Sequence, residues 1–195
     1  VTTLAVLPVK SFRTAKTRLA HDLGQPQPAL AESMADGVLR ALCASKADGV
    51  LVVTRERKIM NLADELGAEI VEESDVRGHS AAATLGIRRA LQRGAGRVLL
   101  AAGDCPLLTT EEIDALLDRH SGDGVVILAD RHGTGTNGLL LTPPTAIPPS
   151  FGIGSRERHA ELAHHRGTSW VVEEIAAFAY DVDTADDLTA ANAQR

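Results

Sequence analysis

The sequence predicts an α/β fold with a mostly parallel sheet, and three observations carry that expectation. Short apolar runs of strand length alternate with segments of helical spacing, the pattern of successive βαβ units. The 195 residues, 44% hydrophobic and 24% charged, suffice for one well-buried domain and would be cramped as two, so one domain over 1–195 is expected. Aromatic residues make up only 3%, so the core must be built from Ala, Val, Leu and Ile.

LAVLPV (4–9) reads as the first buried strand. The segment from Pro28 to Ala44 sets Leu30, Met34, Val38 and Leu42 along one helix face. GVLVV (49–53) is the second strand, a helix follows through Ile59, Leu62 and Leu66, and AEIV (68–71) is the third strand. An Ala-rich helix over 80–92 ends at Gly94 and leads into a fourth strand, RVLLAA (97–102). Thr109 starts the next helix, with Glu112 in the capping-box position. VVILA (125–129) and LLL (139–141) are strands on either side of a Gly-Thr-rich turn, followed by a proline-rich connection from Pro143 to Pro149. Ser155 to Arg166 is helical, SWVVEEI (169–175) and AFAY (177–180) read as extended, and Thr184 with Asp187 caps a last short helix. The short strands late in the chain predict one antiparallel insertion.

Several function classes are excluded by what is missing. The first connection lacks GxGxxG, so a dinucleotide-binding unit of the usual kind is not expected; GxxxxGK[ST] and GxSxG are missing too. A net charge of −6 argues against a general polyanion binder, and the scarcity of aromatics argues against base stacking, so no nucleic-acid partner is expected. No apolar run approaches the ~18 residues needed to span a bilayer, so no membrane partner is expected. Cys43 and Cys105 form no CxxC pair, and no basic region precedes the apolar start. A reduced, cytoplasmic protein is the expectation.

In open α/β sheets, ligands sit beyond the carboxyl ends of the strands, so what leaves each strand is informative. The first strand is followed by Lys10, Arg13, Lys16 and Arg18, a basic patch in an otherwise acidic chain. The fourth is followed by Gly103-Asp104-Cys105-Pro106, the fifth by Asp130-Arg131-His132, and AFAY runs into Asp181-Val182-Asp183-Thr184. Asp104 is either a turn residue or a metal ligand. Asp181 and Asp183, spaced i, i+2, share one face of an extended segment, and a divalent cation would relieve their repulsion. Three carboxylates suit Mg²⁺, which takes few protein ligands and substrate phosphates. A basic patch for a triphosphate beside such a set points to phosphoryl or nucleotidyl transfer, where the protein mainly positions groups and neutralises charge.

Two glycine-rich stretches could hold a second anion. ADRHGTGTNGLLL (129–141) is a hairpin, a metal site or an anion cradle on its residues alone. In FGIGSRERH (151–159), Gly152 and Gly154 permit close backbone approach, and Ser155 stands where helix N–H groups are free to meet a phosphate or carboxylate; a plain serine N-cap is the alternative. The seven histidines do not make a zinc site. His164 and His165 are adjacent and His159 and His164 are five apart, whereas i, i+4 is the useful spacing.

Four segments together carry a resemblance: LPVKSFRTAKTRLA (7–20), AAGDCPLL (101–108), ADRHGTGTNGLLL with FGIGSRERHAELA (129–141 and 151–163), and YDVDTADDL (180–188). Over nearly its whole length the chain resembles the 2-phospho-L-lactate and phosphoenolpyruvate guanylyltransferases of coenzyme F-420 biosynthesis. The resemblance implies the nucleotidyltransferase fold, a glycosyltransferase-A-like, Rossmann-like three-layer sandwich. It implies transfer of GMP from GTP to a phosphorylated three-carbon acid, with Mg²⁺ held by Asp104, Asp181 and Asp183. By the same resemblance Thr136, Gly152 and Ser155 would bind the acceptor, and Lys10, Lys16 and Arg18 the GTP phosphates, with Asp104 and Lys16 the catalytic pair. A downstream transferase that consumes the guanylylated product is the implied partner. The chain departs from the family at Gly78-His79-Ser80-Ala81-Ala82, where Ser80 stands at the position of an Asn near the nucleoside. Other nucleotidyltransferases of the sugar or molybdopterin type, and a catalytically inactive nucleotide-binding module, are the competing readings. The first lack support for want of a Gly-rich first loop, and the second because all three aspartates are present.

Overall fold

The computed structural model describes residues 1–12, 21, 24, 27–72 and 78–193. Seven strands are described: β1 (Thr3–Val9), β2 (Gly49–Thr54), β3 (Glu69–Glu72), β4 (Arg97–Ala101), β5 (Gly124–Ala129), β6 (Thr136–Thr142) and β7 (Trp170–Glu173). The described helices are α1 (Pro28–Ala44), α2 (Arg57–Glu65), α3 (His79–Gln92), α4 (Thr110–Arg119), α5 (Ser155–His165), α6 (Ala176–Ala179) and α7 (Ala185–Asn192).

The strands form one sheet in the order β3-β2-β1-β4-β6-β5-β7. All neighbours pair in parallel except β6, which runs antiparallel to both β4 and β5 and is the predicted insertion. The period-2 alternation of the strands divides the core in two. Ala5, Leu7 and Val9, with Val50, Val52, Leu99 and Leu128, face a layer built from α1, α2, α4 and α6. Leu4, Val6, Leu51, Val53, Leu100 and Ile127 face the opposite layer of α3 and α5. The result is the three-layer sandwich. Gly86 lets α3 close onto the sheet, because a Cβ there would lie 2.3 Å from Val6 Cγ1.

A third, smaller cluster holds the carboxyl-terminal segment. Val182 is fully buried with Met34 and Ala191, and Leu30, Tyr180 and Leu188 pack around them. The predicted α1 stripe is therefore shared, with Val38 and Leu42 in the main core and Leu30 and Met34 reaching this cluster. At α7 the expected capping box is complete: Thr184 Oγ1 accepts the Asp187 N–H, and the Asp187 carboxylate accepts the Thr184 N–H. At α4, Thr109 Oγ1 accepts the Glu112 N–H.

One expected element differs. AFAY is not extended, because Ala176–Ala179 forms the short helix α6. Three of its four residues are alanine, the best helix former, and the Phe178 carbonyl is taken by the Asn137 side chain instead of a strand ladder. The expected strand before it is correspondingly shorter, Trp170–Glu173.

Candidate active site

The chain builds β1, β2 and β3 outward in one direction, then returns to place β4 on the other side of β1. The gap between the carboxyl ends of β1 and β4 is thus the topological switch point, where such sheets bind ligands. Lys10 leaves β1 there and Asp104 follows β4 there. The antiparallel β6 brings its first residues to the same edge, since Ala101 pairs with Gly138, and Ala129 at the end of β5 pairs with Thr136. A sheet edge that would otherwise carry only departing strands thereby also receives Thr136 and Asn137.

Asp104, Asp181 and Asp183 converge at this edge, each offering a carboxylate oxygen within 4.8 Å of the others. Two aspartates, 77 and 79 positions from Asp104, are brought to it by specific anchors. The Val182 N–H donates to the Asp104 carbonyl (3.2 Å), and burial of the Val182 side chain leaves its neighbours half-exposed on the other side. Asn137, itself buried, donates through Nδ2 to Asp181 Oδ1 (3.0 Å) and to the Phe178 carbonyl (2.9 Å). Asp187 accepts from the Asp183 N–H (3.1 Å), the Thr184 N–H and hydroxyl (2.8 Å each), and the Arg131 guanidinium. Burial works to raise the Asp187 pKa, and the donors from Thr184, Arg131 and the backbone outweigh it, holding the carboxyl below its usual range. Three like charges this close suit a hard divalent cation with oxygen ligands.

A second group of residues gathers where the turn between β5 and β6 meets the start of α5. Gly152 (φ 117°) and Gly154 (φ 70°) take backbone conformations that favour glycine and turn the chain into α5. Arg158 braces the turn, its guanidinium donating to the Ser150 hydroxyl (3.2 Å), the Ser150 carbonyl (3.0 Å) and the Ile153 carbonyl. The Arg156 N–H donates to the Thr134 carbonyl (3.2 Å), tying the start of α5 to the turn between β5 and β6. Ser155 is 1% exposed, and its hydroxyl is the one buried side-chain oxygen or nitrogen without a hydrogen-bond partner among the described residues. A buried hydroxyl without a partner is costly unless a ligand supplies one. Ser155 and His159, one turn apart, share the buried face of α5, and His159 Nδ1 lies 3.1 Å from Thr136 Oγ1. Thr136, Gly152 and Ser155 are thus assembled around one turn.

The remaining expected site residues are placed as follows. Lys10 is exposed at the end of β1. Burial lowers the pKa of the nearby His79, Asp104 acts to raise it and Lys10 to lower it, so all three share one electrostatic neighbourhood. Ser80, on the first turn of α3, accepts the Phe151 N–H (2.9 Å) at its hydroxyl, so its side chain holds the turn that leads into α5. Lys16 and Arg18 lie outside the described residues. Asn137, Asp187, Arg131 and His159 were not singled out by sequence reasoning for any part in the site. Asn137 and Arg131 sat within the glycine-rich stretch already suspected, but only tertiary contacts show what they hold.

A seven-stranded, mostly parallel sheet with carboxylates at its switch point defines a nucleotidyltransferase-type enzyme. The fold is similar to that of a nucleotidyl transferase from Methanothermobacter thermautotrophicus, with a TM-score of 0.72 at 19% identity over 99% of this chain and 97% of that one. Residues 3–191 match the family model described as "Guanylyl transferase CofC like", and the chain belongs to that family. It is 44% identical over 194 residues to a phosphoenolpyruvate guanylyltransferase of Conexibacter woesei, covering 97% of this chain and 87% of the relative. It is 33% identical over 196 residues to a 2-phospho-L-lactate guanylyltransferase of Methanothermobacter thermautotrophicus, covering 95% of this chain and 82% of that protein. Among the described residues, no helix is long and apolar enough to cross a membrane.

Proposed function

We propose that this guanylyltransferase transfers GMP from GTP to the phosphate of a phosphorylated three-carbon acid, phosphoenolpyruvate first and 2-phospho-L-lactate second, in coenzyme F-420 biosynthesis. The observation that carries this reading is the juxtaposition of two anion-handling features at one sheet edge. Three aspartate carboxylates within 4.8 Å lie at the edge where β6 begins with Thr136, and Thr136 is joined through His159 to the helix that carries the buried, unpartnered Ser155 hydroxyl. The preference for phosphoenolpyruvate rests on the name of the relative at 44% identity.

An anionic oxygen of the acceptor's phosphate attacks the α-phosphorus of GTP. The bond from that phosphorus to the oxygen bridging to the β-phosphate breaks, and pyrophosphate leaves with the electron pair. The attacking oxygen carries no proton at neutral pH, so the chain needs to supply no general base. Its residues instead orient two anions in line and offset their charge. Lys10, Lys16 and Arg18 hold the GTP phosphates. Thr136, the Gly152 backbone and Ser155 hold the acid, the two hydroxyls and the backbone at Gly152 meeting its anionic groups, since the Ser155, Arg156 and Arg158 N–H groups at the start of α5 are already given to the Gly152, Thr134 and Gly154 carbonyls. Asp104, Asp181 and Asp183 fit Mg²⁺, which when bound supplies charge neutralisation for the phosphates. Ser80 adjoins the nucleoside through its position at the start of α3. The chain works in the cytoplasm as one domain and passes its product to a downstream transferase.

Pyrophosphate release with GTP and Mg²⁺ should depend on one of phosphoenolpyruvate, 2-phospho-L-lactate or 3-phosphoglycerate, and the guanylylated product should be identified by mass. Silence with all three acids would remove this reading.

A further inference from the structure

His159 is the one fully buried histidine, and the mechanism above gives it no task. Its two ring nitrogens are both engaged. Nε2 lies 2.8 Å from the Ser150 backbone nitrogen, and Nδ1 lies 3.1 Å from Thr136 Oγ1. The Ser150 N–H is an obligatory donor, so Nε2 must be the bare nitrogen that accepts. The ring proton then sits on Nδ1, and Nδ1–H donates to Thr136 Oγ1. A doubly protonated ring would set one N–H against another at Ser150. Burial, and secondarily the neighbouring Arg158 guanidinium, push the His159 pKa down to about 4, which agrees with a ring that stays neutral.

Thr136 Oγ1 can both accept and donate. With its acceptor side occupied by Nδ1–H, the hydroxyl proton is left for a second partner. The same ring holds Ser150, which opens the turn leading through Gly152 to Ser155. Phe151 packs edge-on against the His159 ring, with centroids 5.4 Å apart. One imidazole therefore touches both Thr136 on β6 and the Ser150–Ser155 turn.

We propose that His159 is a positioning residue that, as its neutral Nδ1–H tautomer, turns the Thr136 hydroxyl into a dedicated donor for the acceptor anion and keeps the Ser150–Ser155 turn in register with it. The inference rests on Thr136 lying in the acceptor pocket, and it adds that acceptor affinity is set by a residue that never touches the acceptor.

The test pairs two side chains that each keep half of the imidazole. His159→Gln retains an acceptor near the Nε2 position, whereas His159→Asn retains a donor near the Nδ1 position. In steady-state assays, His159→Gln is expected to raise the KM for the acid by about tenfold, with kcat and the KM for GTP within about twofold. His159→Asn is expected to recover most of that loss. In a Thr136→Val background, His159→Gln should add nothing further to the acid KM, because the hydroxyl it acts through is gone. Additive effects, or an equal rise in the KM for GTP, would overturn the proposal. If Thr136→Val itself leaves the acid KM unchanged, the acceptor-pocket reading has failed and this inference falls with it. A rise with Thr136→Val and none with His159→Gln condemns the role of His159 alone. Independently of any variant, nitrogen NMR of the unsubstituted chain should show one ring with Nδ1 protonated and Nε2 bare across neutral pH. The opposite tautomer at His159 would also overturn it.

Discussion

Asp181 is held by an amide, Asp183 by a backbone N–H that a second carboxylate fixes, and Asp104 by the loop whose carbonyl accepts from Val182. The Asp181 carboxylate is therefore held by a named donor, and the backbone carrying Asp183 and Asp104 is fixed by hydrogen bonds, while the three charges repel one another. Asp104→Asn is expected to abolish pyrophosphate release while leaving the thermal midpoint unchanged or slightly raised, because one repelling charge is gone; turnover near the original rate in the folded variant would take Asp104 out of the site. His159 gives a second consequence at this scale. Its folded pKa of about 4 lies below the ordinary 6.5, so between those values the unfolded chain binds the extra proton. Stability is full above about pH 6.5 and falls as the pH drops towards 4, by up to about 3 kcal/mol from this group. Urea titrations from pH 7 to 4 should show that slope, and His159→Gln should flatten it.

Among the elements, β6 does most to place the site, because an antiparallel strand inserted between two parallel ones delivers its first residues to the sheet edge where β4 and β5 end. Gly138 makes that insertion possible. A Cβ there would lie 2.8 Å from Leu128 Cδ1 and 2.9 Å from the Leu100 carbonyl oxygen, and the carbonyl belongs to the adjoining strand. Gly138→Ala is expected to cost about 2 kcal/mol or more in urea unfolding, since backbone cannot move aside as a side-chain tip can. It should also lower activity by shifting Asn137 and Thr136. A variant as stable and active as the original would show that β6 is not packed this tightly.

For the molecule as a whole, the core and the carboxylate cluster are separate structures. The two main apolar clusters lie on the faces of the sheet, and the aspartates sit at its edge, so folding is expected not to depend on a bound ion. Chelation with EDTA is expected to abolish pyrophosphate release, to leave the circular-dichroism melt within about 2 °C of its original midpoint, and to be reversed by added Mg²⁺. A melt that collapses on chelation would mean that the cluster is structural.

Strand-helix alternation and the cap residues Thr109 and Thr184 were legible in the sequence because they depend on local periodicity and hydrogen bonds within three residues. The three aspartates could be picked out because each stands in a short polar run beyond an apolar segment, whereas Thr136, Gly152 and Ser155 were proposed as a set through the family resemblance. AFAY was misread because aromatic residues suggest a strand, whereas a tertiary hydrogen bond from Asn137 and three alanines favour a helical turn. The buried tautomer of His159, the grip of Asn137 on Asp181 and the turn held by Ser80 span 23, 44 and 71 positions of sequence. By itself the sequence determined the α/β class and the candidate residues for handling two anions. Only the tertiary structure decided which of them meet and what holds each in place. Periodicity is a property of neighbours along the chain, whereas hydrogen bonds between distant side chains exist only once the sheet has brought their strands together.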